Sequence, residues 1–242
     1  MTAVVTGGGS GIGRAVALDL AARGTDVLVV GRRKDALAAT ASQGPGIRIH
    51  AADVGDPDDT DAVVAAALAE RGRLDVLVNN AGMGRPAPLG GIDPTEAATM
   101  WTTNVLGPVL LAQAARPHLI EAGGSIVNVS STFGAKPAPG ISLYGATKAA
   151  LEQLTRSWAL ELAEHGVRVN AVAPGPTASE ALDAMGLSPG EIARLEADER
   201  DRIPLGRRGR PEDVAPWVRA LADPGSWVTG QVVGVDGGYL VA

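Results

Sequence analysis

Short apolar runs rich in β-branched residues recur along the chain, at 2–6, 26–30, 47–51, 75–79, 125–130, 167–172 and 232–235. They are nearly continuously apolar rather than alternating, as expected of parallel strands covered on both faces. Longer stretches at 12–23, 58–71, 95–120, 145–165 and 211–222 repeat their apolar positions with helical spacing. Beyond Lys148, for example, Leu151, Leu154, Trp158 and Leu162 form one apolar stripe. Strand–helix alternation of this kind predicts an α/β fold, a doubly wound parallel sheet of about seven strands with helices on both faces. No repeat or low-complexity linker divides residues 1–242, so one domain is expected. The segment 176–208 departs from the pattern, being rich in Pro, Gly and charge, and reads as an insertion over the sheet edge. Within it, 191–202 has the charge-laced pattern of a solvated amphipathic helix.

Composition narrows the function. With 242 residues, 45% hydrophobic, the chain is long enough to bury a large core. A net charge of −6 opposes a nucleic-acid partner, which favours a basic face. There is no cysteine for disulfides or thiolate metal sites, and His50, His118 and His165 are scattered, so no metal site is expected. The run "AVV" close behind Met1 leaves no room for a signal peptide, and no apolar stretch approaches the ~20 residues of a membrane span. A soluble, cytoplasmic protein is expected.

Directly after the first run comes "TGGGSGIG", 6–13, with Gly7, Gly11 and Gly13 spaced G-x-x-x-G-x-G. Glycines at a strand-to-helix turn let a pyrophosphate approach the backbone, and the free N–H groups of the helix start stabilise it. This turn stands in order with "DV" at 53–54, "NNAG" at 79–82, Asn104, Ser131, "YGATK" at 144–148, "PG" at 174–175 and "VDGG" at 235–238. In these motifs the chain resembles the short-chain dehydrogenase/reductase superfamily in its compact form, from Thr2 to Tyr239, and is similar to 3-oxoacyl-carrier-protein reductase-like carbonyl reductases. The resemblance implies a Rossmann fold that binds NAD(P) through the 6–13 turn, with Gly7, Ser10, Gly11, Ile12 and Gly13 near the dinucleotide. It also implies that Asp53 and Val54 hold the adenine, that Asn80, Ala81 and Gly82 line the adenosine ribose, and that Pro174, Gly175 and Thr177 flank the nicotinamide.

Tyr144 and Lys148, at i and i+4, project from one helix face. An ammonium beside a phenol favours the phenolate, so Lys148 is expected to lower the Tyr144 pKa and make it a general acid/base for a carbonyl oxygen. Ser131 ends a strand where ligands bind in such sheets, and its spacing from Tyr144 matches the family. Adjacent Ser130 faces the other way and reads as structural. Pro108 has no N–H to give to the carbonyl of Asn104, which is left as an acceptor. In the family the matching carbonyl holds a water in a proton relay to the lysine, while the lysine also binds the nicotinamide ribose.

An NAD-selective site ends the second strand with a carboxylate for the ribose 2′-hydroxyl. Gly31 fills that place here, and Arg32 and Arg33 follow, so NADP(H) is expected in preference to NAD(H), with Arg32 the better 2′-phosphate ligand. The reaction expected is reduction of a ketone or oxidation of the corresponding secondary alcohol. An NAD-dependent alcohol, sugar or steroid dehydrogenase is the alternative. A non-catalytic dinucleotide-binding regulator is expected to lack Tyr144, Lys148 or Ser131. Met83, Arg85, 132–140 and 181–187 bound the expected small-molecule pocket, and His165, where carrier-protein reductases often have a basic residue, weakens a carrier-bound substrate. The apolar end, 227–242, together with the resemblance, implies a homotetramer.

Overall fold

A computed structural model describes residues 1–178 and 188–242. Seven parallel strands form one sheet: β1 Thr2–Thr6, β2 Asp26–Gly31, β3 Ile47–Ala51, β4 Val76–Asn79, β5 Ser125–Val129, β6 Arg168–Pro174 and β7 Val232–Val235. Their spatial order is β3-β2-β1-β4-β5-β6-β7, so the winding reverses between β1 and β4. In an open α/β sheet the crevice beyond the carboxyl ends of the strands at that reversal is the expected ligand site.

Alternation within each strand builds two apolar layers. Ala3, Val5, Val27 and Val29 face one side, where they meet Val16 and Leu20 of α1 (Gly11–Ala21) and Val214 and Val218 of α8 (Pro211–Ala222). Val4, Leu28 and Val30 face the other, against Val63 and Val64 of α3 (Pro57–Leu68), Leu111 and Leu119 of α5 (Gly107–Ala122) and Leu162 of α6 (Ser142–Leu162). Each such side chain contributes about 1.5–3 kcal/mol by leaving water, and the doubled burial explains the continuously apolar strands. The short α2 (Lys34–Ala41) follows β2.

The predicted helix over 95–120 is not continuous. It comprises α4 (Pro94–Trp101), a π turn at Thr102–Leu106 and then α5. The physical reason is Pro108, which cannot give the N–H that an α-helical turn needs at Asn104. The Gly107 N–H reaches back to the Thr102 carbonyl, a wider turn of the kind often found at functional positions. Past β6, the charged segment forms α7 (Pro189–Arg202), held at its start by a capping box between Ser188 and Glu191. The pocket segment expected at 181–187 lies outside the described residues.

Candidate active site

The sequence-predicted residues lie beyond the carboxyl ends of β1 to β6, with the catalytic candidates grouped at β1, β4 and β5. At β1 the glycine turn bends sharply: Gly7 and Gly11 have φ of +65° and +49°, which disfavour any side chain. Gly13 is fixed by space, because a Cβ there would lie 2.4 Å from both the Gly7 carbonyl and the Asn80 amide. Ser10 caps α1 without bonding to it by its side chain, so the first-turn N–H groups, Ile12 among them, have no cap from that side chain. An uncapped helix start behind a glycine cradle suits a pyrophosphate, so the residues present fit a dinucleotide.

The loop after β4 is tied to this turn. Thr6 Oγ1 accepts from the N–H groups of Asn80 and Ala81, both at 2.9 Å, and the Asn80 amide donates to the Thr6 carbonyl at 2.8 Å. Asn104, fully buried, fixes the far side of the loop. Its carbonyl oxygen accepts from Met83 N at 2.8 Å, and its amide donates to the Met83 carbonyl at 2.8 Å and to Thr147 Oγ1 at 3.0 Å. The sequence reading gave Asn104 only a backbone role and missed this side-chain staple, for which no local spacing gives a signal. Asn104→Ala takes the side-chain partner from the Met83 N–H and carbonyl and a donor from Thr147 Oγ1, which keeps its bond to the Tyr144 carbonyl. It is expected to destabilise the fold by about 2–4 kcal/mol, read by denaturant unfolding.

Around Gly82 and Gly84 the catalytic candidates converge. A Cβ on Gly82 would lie 3.3 Å from Lys148 Nζ and 3.4 Å from the side-chain Oδ1 of Asn104, and one on Gly84 would meet the Tyr144 ring at 3.1 Å. Lys148, buried in α6, donates from Nζ to the Val129 carbonyl at 2.9 Å and lies 5.8 Å from the centre of the half-buried Tyr144 ring. Ser131, just past β5, accepts from the Phe133 N–H at 3.3 Å, and its hydroxyl pulls the Tyr144 pKa downward. Ser130 points the other way, donating to Glu152 Oε1 at 2.8 Å. Glu152, a buried carboxylate one turn beyond Lys148, did not figure in the sequence reading.

The expected lowering of the Tyr144 pKa is corrected. Burial pushes the phenol above its ordinary value, and the opposing influence is the Ser131 hydrogen bond rather than Lys148. The reason is that Lys148 turns its ammonium toward the Val129 carbonyl and is itself desolvated, which brings it down to about 8 against the pull of Glu152. Tyr144 is therefore held as the neutral acid, the form that donates a proton. The Lys148 value in the fold lies below its unfolded ~10.4, so this group adds stability as pH rises between the two while its charge disappears. Where the ammonium is needed, the ketone-reduction rate is expected to be level below about pH 8 and to fall toward tenfold per unit above it. A pH profile of kcat/KM checks this.

Elsewhere on the rim, Arg33 Nη2 donates to Ser10 Oγ at 3.2 Å, and Arg32 lies 3.8 Å from the carboxylate of Asp53. Asp53 also accepts from the Gly55 N–H at 3.0 Å, while Val54 packs its backbone against Gly107. At β6, Pro174 and Gly175 close the strand, Gly175 pressed on Asp236, and Thr177 Oγ1 donates to the Gly175 carbonyl at 2.9 Å. Two residues past Arg85, Ala87 N donates at 2.6 Å to the carbonyl of Gly140, the end of the expected 132–140 segment, and Arg85 pairs with Glu96 of α4. Lys136 was missed as a clasp: it donates to the carbonyls of Tyr239 and Ala242, both at 2.7 Å, holding the chain end beside the pocket wall. Among the described residues, no cluster of three or more His, Asp or Glu stands ready for a metal, and no helix is long and apolar enough to cross a membrane.

Residues 7–240 match the model of the family described as enoyl-(acyl carrier protein) reductase. The chain is 40% identical over 244 residues to a 3-oxoacyl-(acyl-carrier-protein) reductase of Thermotoga maritima, covering 98% of this chain and 97% of that one. An oxidoreductase of Sarocladium schorii is also 40% identical, over 98% of this chain and 94% of its own. Among solved structures, a 3-ketoacyl-(acyl-carrier-protein) reductase of Brucella melitensis complexed with NADH superposes with a TM-score of 0.92 at 34% identity, covering 98% of this chain and 97% of that one.

Proposed function

The chain belongs to the short-chain dehydrogenase/reductase family, and from that premise we propose that it is an NADP(H)-dependent oxidoreductase that reduces a ketone, with Tyr144 as general acid. The observation that carries this reading is the convergence of Tyr144, Lys148 and Asn104 on Gly82–Gly84, beside the glycine cradle and Ser131. When bound, the nicotinamide supplies the hydride. Ser131 donates a hydrogen bond to the carbonyl oxygen and fixes it, and Tyr144, held neutral by its surroundings, delivers the proton to that same oxygen. Ser131 steadies the phenolate that remains, Lys148 holds the nicotinamide ribose, and the Asn104 backbone carbonyl anchors the relay that restores the proton. Gly7, Ser10, Gly11, Ile12 and Gly13 hold the pyrophosphate, Asp53 and Val54 the adenine, Asn80, Ala81 and Gly82 its ribose, and Pro174, Gly175 and Thr177 the nicotinamide. The test is purified protein with NADPH and a ketone panel: ketone-dependent oxidation of the cofactor is expected, and tight NADPH binding with no turnover contradicts the reading.

A free small ketone is favoured over one presented by an acidic carrier. His165 stands where carrier reductases often have a basic residue, and its Nε2 lies 3.7 Å from the carboxylate of adjacent Glu164. The assembly proposed is a homotetramer. Trp227 and Val241 in the apolar end are almost fully exposed, and Leu160 of α6 is also open to water. Light scattering at micromolar concentration is expected to give four times the chain mass of 24.5 kDa. A monomer contradicts it.

A further inference from the structure

Helix α7 has no fully buried side chain; Ile192, Leu195 and Ala197 are only half-covered. Apolar burial therefore does little to seat it on the body of the molecule. A single guanidinium does more. Arg208, whose side chain is 12% exposed, pairs through Nη1 with Glu196 and through Nε with Glu199 at 2.8 Å, both on α7. Its Nη2 donates to the Thr177 carbonyl at 3.2 Å. Its own segment is tied to the same wall by backbone bonds: Gly209 N donates to the Pro176 carbonyl and Ala178 N to the Gly209 carbonyl, both at 2.9 Å.

We propose that Arg208 is a positioning residue that docks α7 onto the Pro176–Thr177 wall and thereby sets the shape of the ketone pocket beside the nicotinamide. The role of that wall rests on the reading above; the docking of α7 does not. Two hydrogen bonds and an ion pair, to Glu196, Thr177 and Glu199, spread over one planar fork suit arginine and not lysine, whose ammonium is a single point charge. Both carboxylates are drawn to one cation, and burial raises the Glu199 pKa while Arg208 lowers it, so removing the guanidinium leaves Glu199 in a poorly solvated place without its partner. Helix and wall then part.

The experiment has one arm without substrate and one with it. Arg208→Leu is expected to speed cleavage within α7 by an arginine-specific protease, at Arg194, Arg200 or Arg202, by about tenfold or more. In the same variant KM for the ketone rises about tenfold while kcat changes less than about twofold. Arg208→Lys restores little. If Arg208→Leu fails to fold, Glu196→Gln with Glu199→Gln leaves the arginine in place and is expected to show the same loosening. Wild-type protease resistance and KM in these variants overturn the proposal, as does loss of kcat with KM unchanged. Because the protease arm needs no ketone, failure of this inference is distinguishable from failure of the reduction reading.

Discussion

Tyr144→Phe is expected to lower kcat for ketone reduction by about 10²- to 10⁴-fold, the usual range for a positioned acid, while NADPH binds as before. The ring is half-buried and packs beside Gly84, contacts that phenylalanine keeps. What disappears is the hydroxyl whose pKa Ser131 influences, and the proton it carries. Since burial holds the wild-type phenol above its ordinary value, the acid form dominates at neutral pH, and the loss should be independent of pH below about 8, where Lys148 is still charged. Steady-state kinetics with cofactor binding measured separately reads both halves. Activity within about tenfold of wild type removes Tyr144 from the acid's role.

The second large effect concerns the cofactor. NADPH is expected to be preferred over NADH by at least about tenfold in kcat/KM. β2 ends at Gly31 with no carboxylate to repel a 2′-phosphate, and two guanidinium groups flank the same corner. Arg32 and Asp53 are both well exposed, so their pairing is worth at most ~1 kcal/mol and yields readily to a phosphate. A hydrogen bond to a charged group contributes about 1.5–3 kcal/mol, or roughly 10- to 150-fold in affinity. Arg32→Ala is expected to erase most of the preference through weaker NADPH binding, with NADH nearly untouched. Arg33, which holds Ser10 of the glycine turn, supplies the remainder. Equal efficiency of the wild type with both cofactors shows that the two arginines only face solvent.

The sheet was legible because its strands are buried on both faces, which leaves runs such as "DVLVV" without a polar position. The glycine turn was legible too, since backbone curvature and close approach at Gly7, Gly11 and Gly13 admit no other residue. Less legible were properties that depend on what folds against a residue. The staple from Asn104 to Met83 and Thr147 joins three distant segments, and no local periodicity announces it. The pKa of Tyr144 was misread for the same reason. Spacing places Lys148 on its face, but only the fold shows the ammonium turned to the Val129 carbonyl and the phenol pushed upward by burial. In the charged segment, periodicity located α7, while its partner Arg208 lies past the end of the helix and gave no pattern.

The central claim is that this chain moves a hydride from a reduced nicotinamide to a carbonyl carbon while Tyr144 protonates the oxygen. NADPH carrying deuterium at the transferable position, incubated with a ketone from the panel and the wild-type protein, tests it directly by mass spectrometry of the product. The account predicts an alcohol with one deuterium on the carbinol carbon, formed at a rate that collapses in Tyr144→Phe. An alcohol without the label, or NADPH bound and left intact by every ketone, contradicts it.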